Sequence, residues 1–115
     1  MNRQVFIDYK TLKISLKDLE RFSGNPYINK IDFPIIIDFG DILNAIELFE
    51  KGKIDIHELV HWADVIRFSE IYDYPDEWLK QEKIAMALDM IEDISLFNIL
   101  PDDKYIDKIK QILIE

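Results

Sequence analysis

The apolar side chains Ile56, Leu59, Val60, Trp62, Ala63 and Ile66 recur at helical spacing, with Asp55 just ahead of them. At about 100° per residue they gather on one broad face, whereas a strand would scatter them over both of its faces. Asp55 is a good N-cap, and Glu58, three residues on, completes an arrangement like a capping box. The spacing predicts a helix over about 55–69. His57, His61 and Asp64 fall on its opposite side. Phe68 lies beside them, an apolar group that needs cover from another element or from a partner.

The same spacing recurs on both sides of this helix. Ser15 and Asp18 bracket a short helix at about 15–22 that would bury Leu16, Leu19 and Phe22, with Gly24, Asn25 and Pro26 ending it. A helix at about 41–51 opens on Gly40 and Asp41, buries Ile42, Leu43, Ile46 and Phe49, and stops at Gly52 in the left-handed position. The longest helix, about 75–95, starts on Pro75, with Asp76 and Glu77 in its first turn. Ile84, Ala87, Leu88, Ile91 and Ile94 form its stripe, Leu79, Met86 and Met90 widen it, and Glu82, Asp89 and Asp93 line an acidic edge. After a turn at Pro101, a last helix of about 102–114 packs Tyr105, Ile106, Ile109, Ile112 and Leu113.

The N-terminal third is less regular. Val5, Ile7 and Tyr9 alternate while Phe6 breaks the alternation, which fits a short strand or an irregular arm. Residues 31–39 are expected to be extended, because Pro34 restricts Phe33 and because Ile35, Ile36 and Ile37 are β-branched. They would form a buried strap across helices or a strand paired with residues 4–9. The expectation is a single mainly α domain over residues 1–115. It would be a bundle of four or five helices with short loops, leaving room for a minor N-terminal extended or strand segment.

Charge narrows the functions open to such a bundle. The chain carries −9 overall, but residues 1–31 carry +3, residues 32–103 carry −13 and residues 104–115 carry +1. A negative field of that kind repels nucleic acid and anionic lipid and speeds encounter with a basic partner. There is no cysteine, hence no disulfide framework and no thiolate chemistry. The first ten residues lack the roughly 7–15-residue apolar core of a secretion signal. The most apolar run, Phe33 to Phe39, falls far short of the ~20 residues that span a bilayer. A cytoplasmic protein without membrane or nucleic-acid partners is expected.

One string carries potential chemistry. His57, Glu58 and His61 spell H-E-x-x-H on a helix, where two histidines four apart can ligate Zn²⁺ and the glutamate can act as base on a metal-bound water. A third protein ligand would have to be an acid such as Asp73, Glu77 or Glu82, since no further histidine exists. The residues that follow, WADVIRF, match neither common extension of the motif. Glu58 already has work in the cap. A small zinc hydrolase is therefore the alternative reading, and two solvated histidines the preferred one. Asp89, Glu92 and Asp93 likewise read as a solvated acidic face rather than a cation site.

A stronger signal for binding lies in residues 72–78, where Tyr72, Tyr74 and Trp78 alternate with Asp73, Asp76 and Glu77. Tyrosine and tryptophan give large rigid contact area, and neighbouring carboxylates engage a partner's lysines and arginines.

Several segments carry a resemblance to a known family. Ala45, Ile46, Glu47, Leu48 and Phe49, then Gly52, Lys53 and Ile54, then Glu58, Leu59, Val60, Trp62 and Ala63, resemble small bacterial immunity proteins of contact-dependent growth inhibition and related polymorphic toxin systems. The resemblance spans about residues 33–95. The turn from Ile71 to Pro75 is also similar in its chemistry to the tyrosine-rich, acid-flanked turn of colicin nuclease immunity proteins. What this implies is stoichiometric inhibition of a cognate, basic, nuclease-type toxin domain, with no turnover and no cofactor. Tyr72, Tyr74 and Trp78 would anchor the toxin, Asp73, Asp76, Glu77 and Glu82 would occupy its cationic groups, and Asp89 and Asp93 would extend the footprint.

Overall fold

A computed structural model describes residues 3–27 and 34–114. Among them the chain forms six helices: α1 (Arg3–Lys10), α2 (Leu16–Ser23), α3 (Phe39–Glu50), α4 (Ile56–Phe68), α5 (Trp78–Leu96) and α6 (Asp103–Ile114). Two short strands, β1 (Ile35–Ile36) and β2 (Tyr72–Asp73), complete it. The mainly α bundle expected from the periodicity is what forms. Helix α4 packs chiefly on α5, α5 on α6, and α3 lies against α4, α5 and α6. Helices α1 and α2 pair with each other, and α2 reaches α4.

Side-chain caps set several helix starts. The Asp55 carboxylate accepts the Glu58 N–H at 2.8 Å, and the Glu58 carboxylate accepts the Asp55 N–H at 3.3 Å. Ser15 with Asp18 and Asp38 with Asp41 form the equivalent boxes for α2 and α3. The second of these moves the start of α3 to Phe39, ahead of the expected Asp41, because Asp38 supplies the cap. Gly52 ends that region with φ +73, the left-handed conformation expected of it.

The N-terminal segment is a helix, not a strand or an arm. Val5, Phe6 and Tyr9 lie on one helical face and are buried, so Phe6, which spoils a two-residue alternation, fits a 3.6-residue one. With residues 4–9 helical, β1 pairs elsewhere. It runs parallel to β2, Ile35 opposite Tyr72 and Ile36 opposite Asp73, through backbone bonds from Ile35 to Ile71 (2.8 Å) and from Ile37 to Asp73 (2.9 Å). Ile35 and Ile37 point inward and Ile36 is exposed, so the segment is neither a wholly buried strap nor a partner of residues 4–9 but a strand on β2 with one face in the core. The first part of the expected extended stretch, 31–33, lies outside the described residues.

Two further expectations change. Helix α5 begins at Trp78, with Glu77 as its cap residue, so Asp76 and Glu77 precede the helix instead of filling its first turn. The chain stays extended through β2, and the Pro75 carbonyl accepts a 2.7 Å bond from the Gln81 amide instead of opening the helix. Phe22, Leu79 and Met86 are exposed, so the apolar faces of α2 and α5 are narrower than the sequence suggests. The expected stripe of Ile84, Ala87, Leu88, Ile91 and Ile94 is buried throughout. Trp62 is fully buried in the core, and its indole N–H is satisfied by the Lys10 carbonyl at 3.1 Å. No helix among the described residues is long and apolar enough to cross a membrane.

Candidate protein-binding surface

The turn between β2 and α5 presents its residues by strand alternation. Tyr72 faces inward and Asp73 outward, while Tyr74 is half-buried. Asp76, Glu77 and Trp78 then emerge into solvent, with Trp78 69% exposed. A tryptophan that sealed the end of the bundle would not be so open. Tyr72 is the correction here. Its ring is buried and its hydroxyl donates a 2.6 Å bond to the Phe6 carbonyl, so it supports the turn from within and offers a partner no surface.

Helix α5 carries the surface onward. At about 100° per residue, Trp78, Glu82, Asp89 and Asp93 fall within about 60° of one another, opposite the buried stripe. Asp76 and Glu77 immediately precede the exposed tryptophan and Glu82 follows it one helical turn on, while Asp89 and Asp93 continue the same edge about three and four turns further along α5. Of these acids, Asp89 is ion-paired, to Arg67 on α4. Arg67 also binds Glu92 and lies 5.2 Å over the ring of Phe68.

The cluster around Arg67 was not legible in the sequence. Its partners are 22 and 25 positions away, beyond any local pattern. Behind it, the Tyr27 hydroxyl donates to Asp64 at 2.5 Å, and burial together with this bond pushes the phenol up to about 12. Burial lifts the Glu92 carboxyl above its usual range; Arg67 opposes this, and a hydrogen bond shared with Asp64 adds to it. Burial raises the Tyr74 phenol, Arg67 pulls it down, and Asp89, Glu92 and Asp73 raise it again. Those charges act on Tyr74 because the turn and the α5 edge meet beside Arg67.

His57 and His61 stay in solvent on α4. His57 lines a hollow with Ile99 and Leu100, whereas His61 stands between two others, one of about 260 Å³ with Glu58, Lys13 and Lys53 and one with Phe68 and Leu96. Among the described residues, no group of three or more histidines, cysteines or acids is arranged to hold a metal ion. Asp73, Glu77 and Glu82 therefore supply no third ligand, and Glu58 is engaged by the Asp55 N–H. Among the described residues, the alternative zinc reading of His57, Glu58 and His61 thus lacks a third ligand.

Sequence reasoning also missed a run of exposed apolar side chains at the end of α5. Leu96, Phe97 and Leu100 stand open to solvent. The helical angle of Leu96, on the line of Trp78 and opposite the stripe, was the available signal.

Comparison with protein-family models, curated proteins and solved structures finds no match to this chain. The fold and surface define a small mainly α bundle with a parallel two-strand clasp and an acidic, aromatic flank.

Proposed function

We propose that this protein is a cytoplasmic, protein-binding immunity factor of the antitoxin kind. It neutralises a cognate basic toxin domain, nuclease-type in its chemistry, by one-to-one binding without turnover. The observation that carries the reading is Trp78, 69% exposed at the start of α5, with exposed Asp73, Asp76 and Glu77 in the turn before it and exposed Glu82 one helical turn after it. Leaving so large an apolar ring in water is unfavourable in the free protein and is offset when a partner covers it. The surrounding carboxylates steer a basic partner and then hold the lysines and arginines it would use on phosphates. The resemblance of residues 33–95 to immunity proteins supports the same reading. Half-buried Tyr74, within electrostatic reach of Arg67, lies in the same turn four residues before Trp78.

The test is calorimetric titration of the protein with a basic nuclease domain encoded beside it, coupled to a nuclease assay. A one-to-one complex that abolishes cleavage, and that Trp78→Ala with Glu77→Lys weakens, is the expected result. Cleavage that continues at saturating protein would remove the immunity reading. Inhibition indifferent to those substitutions would move the interface elsewhere.

A further inference from the structure

We infer that the trough between α4 and the α5–α6 corner docks a basic amphipathic helix of another protein. Two hollows of about 390 Å³ and 330 Å³ share Val60 and Ser95 in their walls and so form one continuous trough. Its far end is apolar, with Ile56, Ile94, Ile99, Leu100 and Pro101. Its near end carries Phe68 and Leu96 beside Asp64, Arg67 and Glu92. Phe68, Leu96 and Leu100 are 58%, 74% and 73% exposed, and an occupant of the trough would cover all three. Apolar groups gathered along one groove mark an interaction site, where scattered ones would not.

The dimensions fit a helix. One wall runs the thirteen residues of α4, about 18 Å at 1.5 Å per residue. That length matches about three turns, with apolar anchors at i, i+4 and i+7 laid into the groove. Charge selects the occupant. At the near end Asp64 and Glu92 line the hollow beside His61 and Arg67, and Arg67 is paired with both Glu92 and Asp89, so carboxylates outnumber the one arginine. Lysines or arginines flanking the apolar anchors complement this end. A second copy of the chain would bring the same acids against it, at −9 per copy, and is disfavoured. The inference does not rest on the proposed immunity function, since the trough borders α4 and its occupant need not be a toxin.

The probe is a capped, fluorescein-labelled helical peptide of about fourteen residues, leucine at i, i+4 and i+7 with lysines beside them. Anisotropy should show binding about ten-fold or more tighter than for a scrambled peptide of the same composition, or for the same peptide with glutamate for lysine. Leu96→Ser with Leu100→Ser should weaken it by about ten-fold or more. Phe22→Ser, an equally open apolar site on α2 at 66% exposure, should leave it within about two-fold. Circular dichroism checks that the variants keep their helices. Absence of binding, equal binding of the scrambled peptide, or a double variant that binds normally overturns the proposal. A dimer in sedimentation that the double variant dissociates overturns it in favour of a second copy. Adsorption to phosphatidylcholine vesicles that the double variant abolishes overturns it in favour of a lipid surface.

Discussion

The hydroxyl of Tyr72 donates a 2.6 Å hydrogen bond to the carbonyl of Phe6, sixty-six residues earlier, and the two rings meet edge to face at 6.4 Å. This contact joins α1 to β2 and fixes which way the turn faces. With Tyr72 held inward opposite Ile35, strand alternation sends Asp73 outward and leaves Tyr74 at the boundary. The orientation of the acidic, aromatic flank is thus set by a core contact.

Tyr72 and Trp78 should separate stability from binding. Tyr72→Phe keeps the ring and removes the hydroxyl, and should cost about 1 kcal/mol of stability, read as a lower denaturant midpoint at unchanged slope. Partner affinity should stay put. Trp78→Ala should do the reverse, leaving stability within about 0.5 kcal/mol while costing about 2 kcal/mol or more of binding. Equal losses of stability in both variants would contradict the assignment of Tyr72 to the core and Trp78 to the surface.

Asp76 and Glu77 lie ahead of α5 in solvent, so on the proposed basic partner they would act by long-range attraction. Asp76→Lys with Glu77→Lys should slow association by about ten-fold at low salt and change dissociation little. The difference should shrink as salt rises, since the screening length falls from about 10 Å at 0.1 M to about 3 Å at 1 M. Stopped-flow rates at several salt concentrations measure this. A salt-independent defect would show that the two acids act through close contacts instead.

Much of the fold was legible because its signals are local. Asp55 and Glu58 announce α4 from three residues apart, and the α5 stripe shows in its spacing alone. Pro75 misled because a proline suits a helix start and also suits the end of a strand, and only the pairing of Ile35 with Tyr72 decides between them. Val5, Ile7 and Tyr9 alternate as a strand would, and Phe6, buried beside Val5 and Tyr9, shows that the helical period holds. For the surface, composition marked out the aromatic, acidic turn but not its orientation, so Tyr72 and Trp78 read alike. Arg67 with Asp89 and Glu92 is a tertiary contact between two helices and leaves no trace in either one alone.

Glu92 sets a pH dependence. Burial, partly offset by Arg67 and reinforced by Asp64, raises its carboxyl above the ordinary value of 4.5. The folded protein therefore keeps this proton after the unfolded chain has lost it. From about pH 4.5 upward the native state binds more protons, so stability from this group falls until the native carboxyl also ionises. Glu92→Gln lacks that loss and keeps an acceptor for Arg67. Its melting temperature relative to the wild type should climb with pH above about 4.5 and then level off. A difference that stays flat or narrows over that range would mean that Glu92 titrates normally in the fold.

Glu58 is claimed by two roles, and metal titration separates them. As the cap partner of Asp55 it accepts a backbone N–H at 3.3 Å. As a base in H-E-x-x-H it would need zinc held by His57, His61 and a third donor, and no such group stands among the described residues. Two histidines without a third ligand should bind Zn²⁺ weakly, far short of the roughly 10–16 kcal/mol of complete structural sites. Calorimetry should therefore show weak binding, and no hydrolysis should depend on added zinc. Asp55→Ala should still cost about 1 kcal/mol of stability, because the cap is lost whether or not metal is added. Glu58→Gln should cost less, since its amide oxygen can still accept the Asp55 N–H. Tight stoichiometric zinc binding that disappears in His57→Ala with His61→Ala would reverse the assignment, making the cap incidental and the metal the reason for Glu58.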